Sequence, residues 1–524
     1  MTISKKTLFI FLLISLAFIT NAQNDSVIKI SANPTFTYQT IDGFGASDAW
    51  RCQFVGENWP LSKREQIADL LFSKEMDNEG NPKGIGLSIW RFYISSGTTE
   101  QKETSDIGNE WRRGECFQNA DRTYNWNKLS GQQWFLKAAK IRGVKQFLAF
   151  PNAAPVHLSN NGRGYASKGN LHFNLKPGKM KAYASYLVDI IEHFNEVGIP
   201  FSYLSPFNEP QWNWDGGDQE GTPALNEELY AFIKYLSHDL NARGLSTKLV
   251  IGEAGTIGHI AKIMDNDGRD QQANFFFNPQ SAFYIGDLPN VELTISAHSY
   301  FSVWPIDKQV EYRKMLHQAI LTENPDLAYW QSEYCILQKN DETGGGGGGR
   351  DLGMTTALYV ARIIHNDLTL SNAKSWQWWT ALSQADYKDG LVYLDDGSEG
   401  ITGKMGSGIE SLKYDGKVRD SKLLWILGNY SRFVRPGMQR IACSPPIVGT
   451  QKDGLLISAY KEPHKPDLVY VMVNLSKEIK TVQLDTTKEI SMYITSETTN
   501  LSKYQCKPRH IEIPARAVVT LILQ

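Results

Sequence analysis

In Phe201-Ser202-Tyr203-Leu204-Ser205-Pro206-Phe207-Asn208-Glu209-Pro210, a short apolar run stops at Ser-Pro and opens into a polar loop. An amphipathic segment, residues 226–243, follows. A strand buried on both faces of a parallel sheet has this form, because it needs apolar side chains on both sides and a helix to return the chain. The same unit recurs in both directions. Apolar runs stand at residues 41–44, 85–94, 146–150, 201–206, 249–251, 293–297, 328–331 and 375–379, with helical patterns such as 180–195 and 354–367 between them. Eight strand–helix alternations predict an α/β fold, a closed (β/α)8 TIM barrel over residues 41–428, rather than an open doubly wound sheet.

The pattern changes after residue 428. Pro436, Gly437, Pro445 and Pro446 break the chain, and alternating runs follow at 454–460, 467–474, 481–484, 490–495 and 517–523. Period-2 alternation predicts antiparallel strands, so residues 429–524 read as a smaller β-sandwich side domain. Residues 27–38 also alternate, and the segment 23–40 is expected to add N-terminal strands to that domain.

Lys5 and Lys6 precede an apolar run over residues 8–19 and the small-polar exit Asn21-Ala22-Gln23. A basic start, a short apolar stretch and a small residue before cleavage are the parts of a secretory signal, here residues 1–22. The run is too short to cross a ~30 Å hydrocarbon core, and no later stretch is apolar enough to span. The chain is therefore expected to be exported to a periplasm or the cell exterior, without a membrane span. A net charge of −2 provides no general attraction to nucleic acid. Cys52, Cys116, Cys335, Cys443 and Cys506 are scattered without a CxxC pair, which excludes a disulfide scaffold and a cysteine zinc site and leaves room for a single bridge after export. Oligomeric state has no signature in the sequence. The six glycines at 344–349 lack the Gly-Lys-Ser/Thr ending of a phosphate loop and read as a flexible loop after the seventh strand, placed to cover a substrate.

Two glutamates carry the chemistry. Glu209 closes the fourth predicted strand and Glu333, in Gln331-Ser332-Glu333-Tyr334, closes the seventh. Side chains at the C-terminal ends of barrel strands point into the active-site mouth. A carboxylate behind an apolar run is costly unless it has a purpose. Retaining hydrolysis of a glycoside needs two carboxyl groups ~5–5.5 Å apart, one to protonate the leaving oxygen and one to attack the anomeric carbon. The fourteen Trp and twenty-three Tyr, many beside Gly, Asn or Asp, suit sugar platforms as well as core packing.

With Ile41-Asp42-Gly43-Phe44-Gly45-Ala46-Ser47, Ser205-Pro206-Phe207-Asn208-Glu209-Pro210 and Gln219-Glu220-Gly221, the chain resembles glycoside hydrolase family 30, within the clan of (β/α)8 retaining glycosidases. The resemblance covers nearly the whole mature chain and implies a side domain built from both termini. It implies that Glu209 is the general acid/base and Glu333 the nucleophile, with an oligo- or polysaccharide substrate and no cofactor. It implies that Arg91 and Tyr300 contact Glu333, that Asn208 bonds a sugar hydroxyl, and that Trp378 or Trp379 forms the floor under the sugar. Asp48, Trp50, Asn152 and Trp212 are further candidates to line the cleft. Glu253 ends the fifth strand but is not a usual catalytic position in this clan, so a substrate contact or a structural role is expected of it. His298 has no second ligand at zinc spacing, so no metal is expected there, and it reads as a satisfied neighbour of the site. The segment from Gly43 to Trp50 looks most like endo-β-1,6-galactanase-type members; β-1,6-glucanase, xylanase or glucosylceramidase activity are the family's alternatives. A catalytically silent carbohydrate-binding protein would have replaced one of the two glutamates.

Overall fold

The computed structural model describes residues 27–397, 410–445 and 449–523. The segment read as an export signal, residues 1–22, lies outside them. The barrel strands are Gly43–Ser47, Ile89–Ile94, Gln146–Pro151, Tyr203–Leu204, Lys248–Ala254, Val291–His298, Ala328–Glu333 and Ser375–Trp378. Every neighbouring pair is parallel, and the first strand pairs with both the second and the eighth, so the barrel closes. The predicted order is correct, but boundaries move. The first strand starts at Gly43 rather than residue 41, the second at Ile89 rather than 85, and the fourth shrinks to two residues. Pro206 contributes to that last change, since it has no N–H to extend the ladder.

Alternation along the strands sorts the barrel interior into layers. Ile89, Leu148, Val250 and Trp330 pack together low in the barrel, with Tyr203 against them. Two residues beyond Ile89 the same face carries Arg91, so charged groups stand directly above an apolar plug.

Strand Ile28–Thr40 belongs to the nine-stranded sheet. It runs parallel to Lys480–Leu484 through its first residues and antiparallel to Gln439–Ser444 through the rest, which makes one pairing parallel where only antiparallel strands were expected. The side domain serves two cores at once. In Leu468–Asn474, Val469, Val471 and Val473 face the main core, whereas Tyr470 and Met472 enter the side domain's own. Burial on both faces explains the near-continuous apolar run. Helix Lys422–Ser431 packs against the first barrel strand on one side and against strands Ile490–Thr495 and Ala517–Leu523 of the sheet on the other. A small sheet of Leu382–Ser383, Val392–Asp395 and Lys417–Asp420, not foreseen, is inserted between the eighth strand and this helix. All five cysteines are free. Among the described residues no helix is long and apolar enough to cross a membrane.

Candidate active site

Arg91 anchors the barrel mouth. Its Nη1 donates to Glu333 Oε2, and its Nη2 donates to Glu253 Oε2 at 2.7 Å and to Asn208 Oδ1 at 3.0 Å. One buried guanidinium thus links the ends of strands four, five and seven, using the donor fork that only arginine offers. His298 is the second cation of the cluster. Its Nδ1 lies 2.8 Å from Glu209 Oε1 and its Nε2 3.0 Å from Glu253 Oε2, with Glu333 Oε1 3.5 Å from Nδ1. The parallel register slips between Ala297 and His298, which sets His298 opposite Glu333; such irregularities re-aim side chains. Tyr300 donates to Glu333 Oε1 at 2.9 Å. A carboxylate oxygen of Glu209, one of Glu333 and a nitrogen of His298 all lie within 4.8 Å of one another.

These environments drive two carboxylates apart. Burial raises the pKa of Glu209, with the charge of Glu333 adding to it and His298 opposing. Burial is the larger cause. Glu253 is equally buried, but Arg91 and His298 overcome the burial and hold it down at about 2. For His298 burial opposes protonation, yet Glu333 and the hydrogen bonds to Glu209 and Glu253 lift it to about 10. The imidazolium therefore already fills the small gap among the carboxylates with positive charge. Glu253, flanked by both cations, acts as the counter-ion that fixes them in place.

Above this cluster opens a cavity of about 400 Å³. Glu209, Glu333, Asn208, Tyr300, Trp50, Trp212 and Trp379 line it. Trp378 does not: strand alternation turns it away, against Trp376 and Tyr334, with its Nε1 donating to the Asp389 carbonyl. Of the two, Trp379 is the one that lines the cavity. Arg91 sits behind the wall. Asp48 also lies behind it, accepting from the Tyr93 N–H at 2.8 Å and Gln132 Nε2 at 3.0 Å, with burial pushing its pKa up to about 7. Asn152 is buried outside the lining as well. Neither is among the residues lining the cavity. Glu220 accepts from Tyr93 Oη, Ser95 Oγ, the Ser96 N–H and Thr98 Oγ1. Gly255 is required by proximity, because a Cβ there would lie 2.3 Å from Trp212 Nε1 and 3.2 Å from Glu209 Oε1.

Sequence reading missed Arg51, Arg112, Tyr387 and Asp389, all on the wall. They come from loops whose course no local pattern specifies. The middle of the glycine run is packed against its surroundings. Lys388 Nζ donates to the Gly346 and Gly348 carbonyls at 3.1 and 2.6 Å, and a Cβ on Gly347 would lie 2.0 Å from the Tyr387 ring.

The profile of O-glycosyl hydrolase family 30 matches residues 27–393. The chain belongs to glycoside hydrolase family 30. It is a retaining glycoside hydrolase acting on a carbohydrate, as the family is. A conserved exported protein from Bacteroides fragilis has 36% identity and a TM-score of 0.88, the match covering 94% of this chain and all of that one. The glucuronoxylanase of Bacillus subtilis is 23% identical over 67% of each chain. An exo-β-1,6-galactobiohydrolase of Bifidobacterium longum is 20% identical over 37% of this chain and 16% of its own length. Family 30 thus accounts for the barrel with its side domain.

Proposed function

We propose that the protein is an exported endo-β-1,6-galactanase in which Glu209 is the general acid/base and Glu333 the nucleophile. The observation that carries the assignment of roles is the approach of the two carboxylates to within 4.8 Å across the cavity. That gap suits direct attack and leaves no space for the water that an inverting pair must hold. Glu333, oriented by Arg91 and Tyr300, attacks the anomeric carbon as the glycosidic C–O bond breaks. Glu209, whose pKa burial raises, gives its proton to the leaving oxygen. Water then enters, loses a proton to Glu209 and releases the sugar from the Glu333 ester. Trp379 offers a ring face beneath the reacting sugar. The cycle needs no cofactor.

The galactan reading is supported by the segment from Gly43 to Trp50 and by the partial likeness to a β-1,6-galactobiohydrolase. The basic-then-apolar N-terminus and the likeness to an exported protein support export. Product analysis on β-1,6-galactan, β-1,6-glucan and glucuronoxylan in parallel tests the substrate. Internal cleavage of galactan alone is expected; release from xylan or glucan with galactan untouched overturns the galactan assignment.

A further inference from the structure

The connection after barrel strand five carries a cluster of titratable groups outside the catalytic pair. His259 lies on the short helix Gly258–Ala261, and the loop Asp265-Asn266-Asp267-Gly268-Arg269-Asp270 follows it. The loop folds back on the helix. His259 Nε2 lies 3.1 Å from Asp265 Oδ2 and 3.6 Å from Asp270 Oδ1. One ligand atom from each of these three side chains lies within 4.8 Å of the other two.

Asp270 is held facing this gap. Its Oδ2 accepts from the N–H groups of Asp265 and Asn266 at 2.9 and 2.7 Å, which fixes the carboxylate and leaves Oδ1 turned toward His259. The side chain is only 6% exposed, and Oδ1 has no hydrogen-bond partner. A buried carboxylate oxygen without a donor is costly. A proton on His259 Nε2 does not remedy this, because one N–H serves one acceptor well and Asp265 Oδ2 is the nearer. Arg269 does not remedy it either. Its Nε donates to Asp267 Oδ2 at 2.8 Å and its Nη1 to Asn213 Oδ1 at 3.3 Å.

A single cation in the gap meets all three groups. Zinc holds imidazole nitrogen and carboxylate oxygen about 2.0–2.2 Å away, which sets neighbouring ligand atoms about 3.0–3.4 Å apart. The 3.1 Å separation falls inside that span and the 3.6 Å separation just beyond it. Calcium and magnesium prefer oxygen ligands alone, so the imidazole selects against them. The Asp265 side chain is 59% exposed, which gives an ion a path from solvent and lets water complete the coordination.

We propose that His259, Asp265 and Asp270 form a site for one divalent transition-metal ion of the zinc class. The His259 ring meets the Trp212 ring edge-on at 6.4 Å, and Trp212 lines the cavity. The ion therefore pins the loop to the helix beside one cavity wall, a structural part that takes no share in the chemistry of Glu209 and Glu333.

Isothermal titration of the full chain with zinc chloride, after removal of metals by a chelator, tests the site. One zinc should bind per chain, and calcium or magnesium at the same concentration should not displace it. Asp265→Asn, at an exposed position, should weaken the binding about tenfold or more, and His259→Gln should abolish it. Zinc should also raise the melting midpoint of the parent and leave that of His259→Gln unmoved. Zinc held equally by the parent and both variants sits elsewhere and overturns the proposal, as does no binding at millimolar zinc. Calcium bound in preference to zinc overturns the class of ion. Should His259→Gln not fold, Asp265→Asn decides by itself.

Discussion

Glu209 and Glu253 are both buried carboxylates at the barrel mouth, yet burial governs one and two cations govern the other. The assigned roles predict that Glu333→Gln lowers turnover by several orders of magnitude; a variant retaining more than about 10% of activity contradicts the nucleophile assignment. His298 gives a finer test. Its positive charge favours the ionised form of Glu209, so His298→Gln should move the alkaline limb of kcat/KM to higher pH, because the acid then holds its proton longer. An unmoved limb contradicts the coupling. The same cluster sets a stability window. Glu253, held down to about 2, stabilises above its unfolded value of 4.5 and loses that contribution as pH falls toward 2. His298, lifted to about 10, stabilises fully below 6.5 and loses its contribution as pH rises through 10. Melting temperatures should show this cluster contributing most between pH 4.5 and 6.5, and the alkaline loss should flatten in His298→Gln. The two glutamates were legible because each ends an apolar run at a strand's mouth end. The charge of His298 was not, because it depends on carboxylates 35 to 89 residues away in the chain.

Elements aim the side chains. One position at the end of the eighth strand separates Trp379, which lines the cavity, from Trp378, which is buried away from it. The strand was legible from its apolar run, but its inward face depends on closing the barrel. Glycines 344–349 look like slack chain in one dimension; in three, Gly347 is the only fit between the Ile336 carbonyl and the Tyr387 ring. Gly347→Val should push Tyr387 out of the cavity wall and raise KM more than it lowers kcat, with the far-ultraviolet spectrum unchanged. An unchanged KM contradicts this support role.

At the scale of the molecule, the side domain is a bracket rather than an appendage. Its inner face shares one continuous core with the barrel helices, and Arg432 donates to the Ser73 and Gly84 carbonyls at 2.9 and 3.1 Å. A large apolar interface argues for unfolding in one step. Calorimetry should show a single transition, and removing residues 28–40, which pair with two strands of the sheet, should lower its midpoint sharply; two resolved transitions contradict a shared core. The side sheet was legible from period-2 alternation. The inserted three-stranded sheet that carries Asp389 beside the cavity was not, since its strands are two to four residues long.

The assignment of roles is tested most directly by trapping the covalent intermediate. The protein is incubated with an activated 2-fluoro glycoside of the sugar that it cleaves, digested and analysed by mass spectrometry. The added sugar mass should fall on the peptide containing Glu333 and vanish in Glu333→Gln. A label on Glu209 or Glu253, or a protein that turns over its substrate yet never carries a label, contradicts the double displacement assigned to this pair.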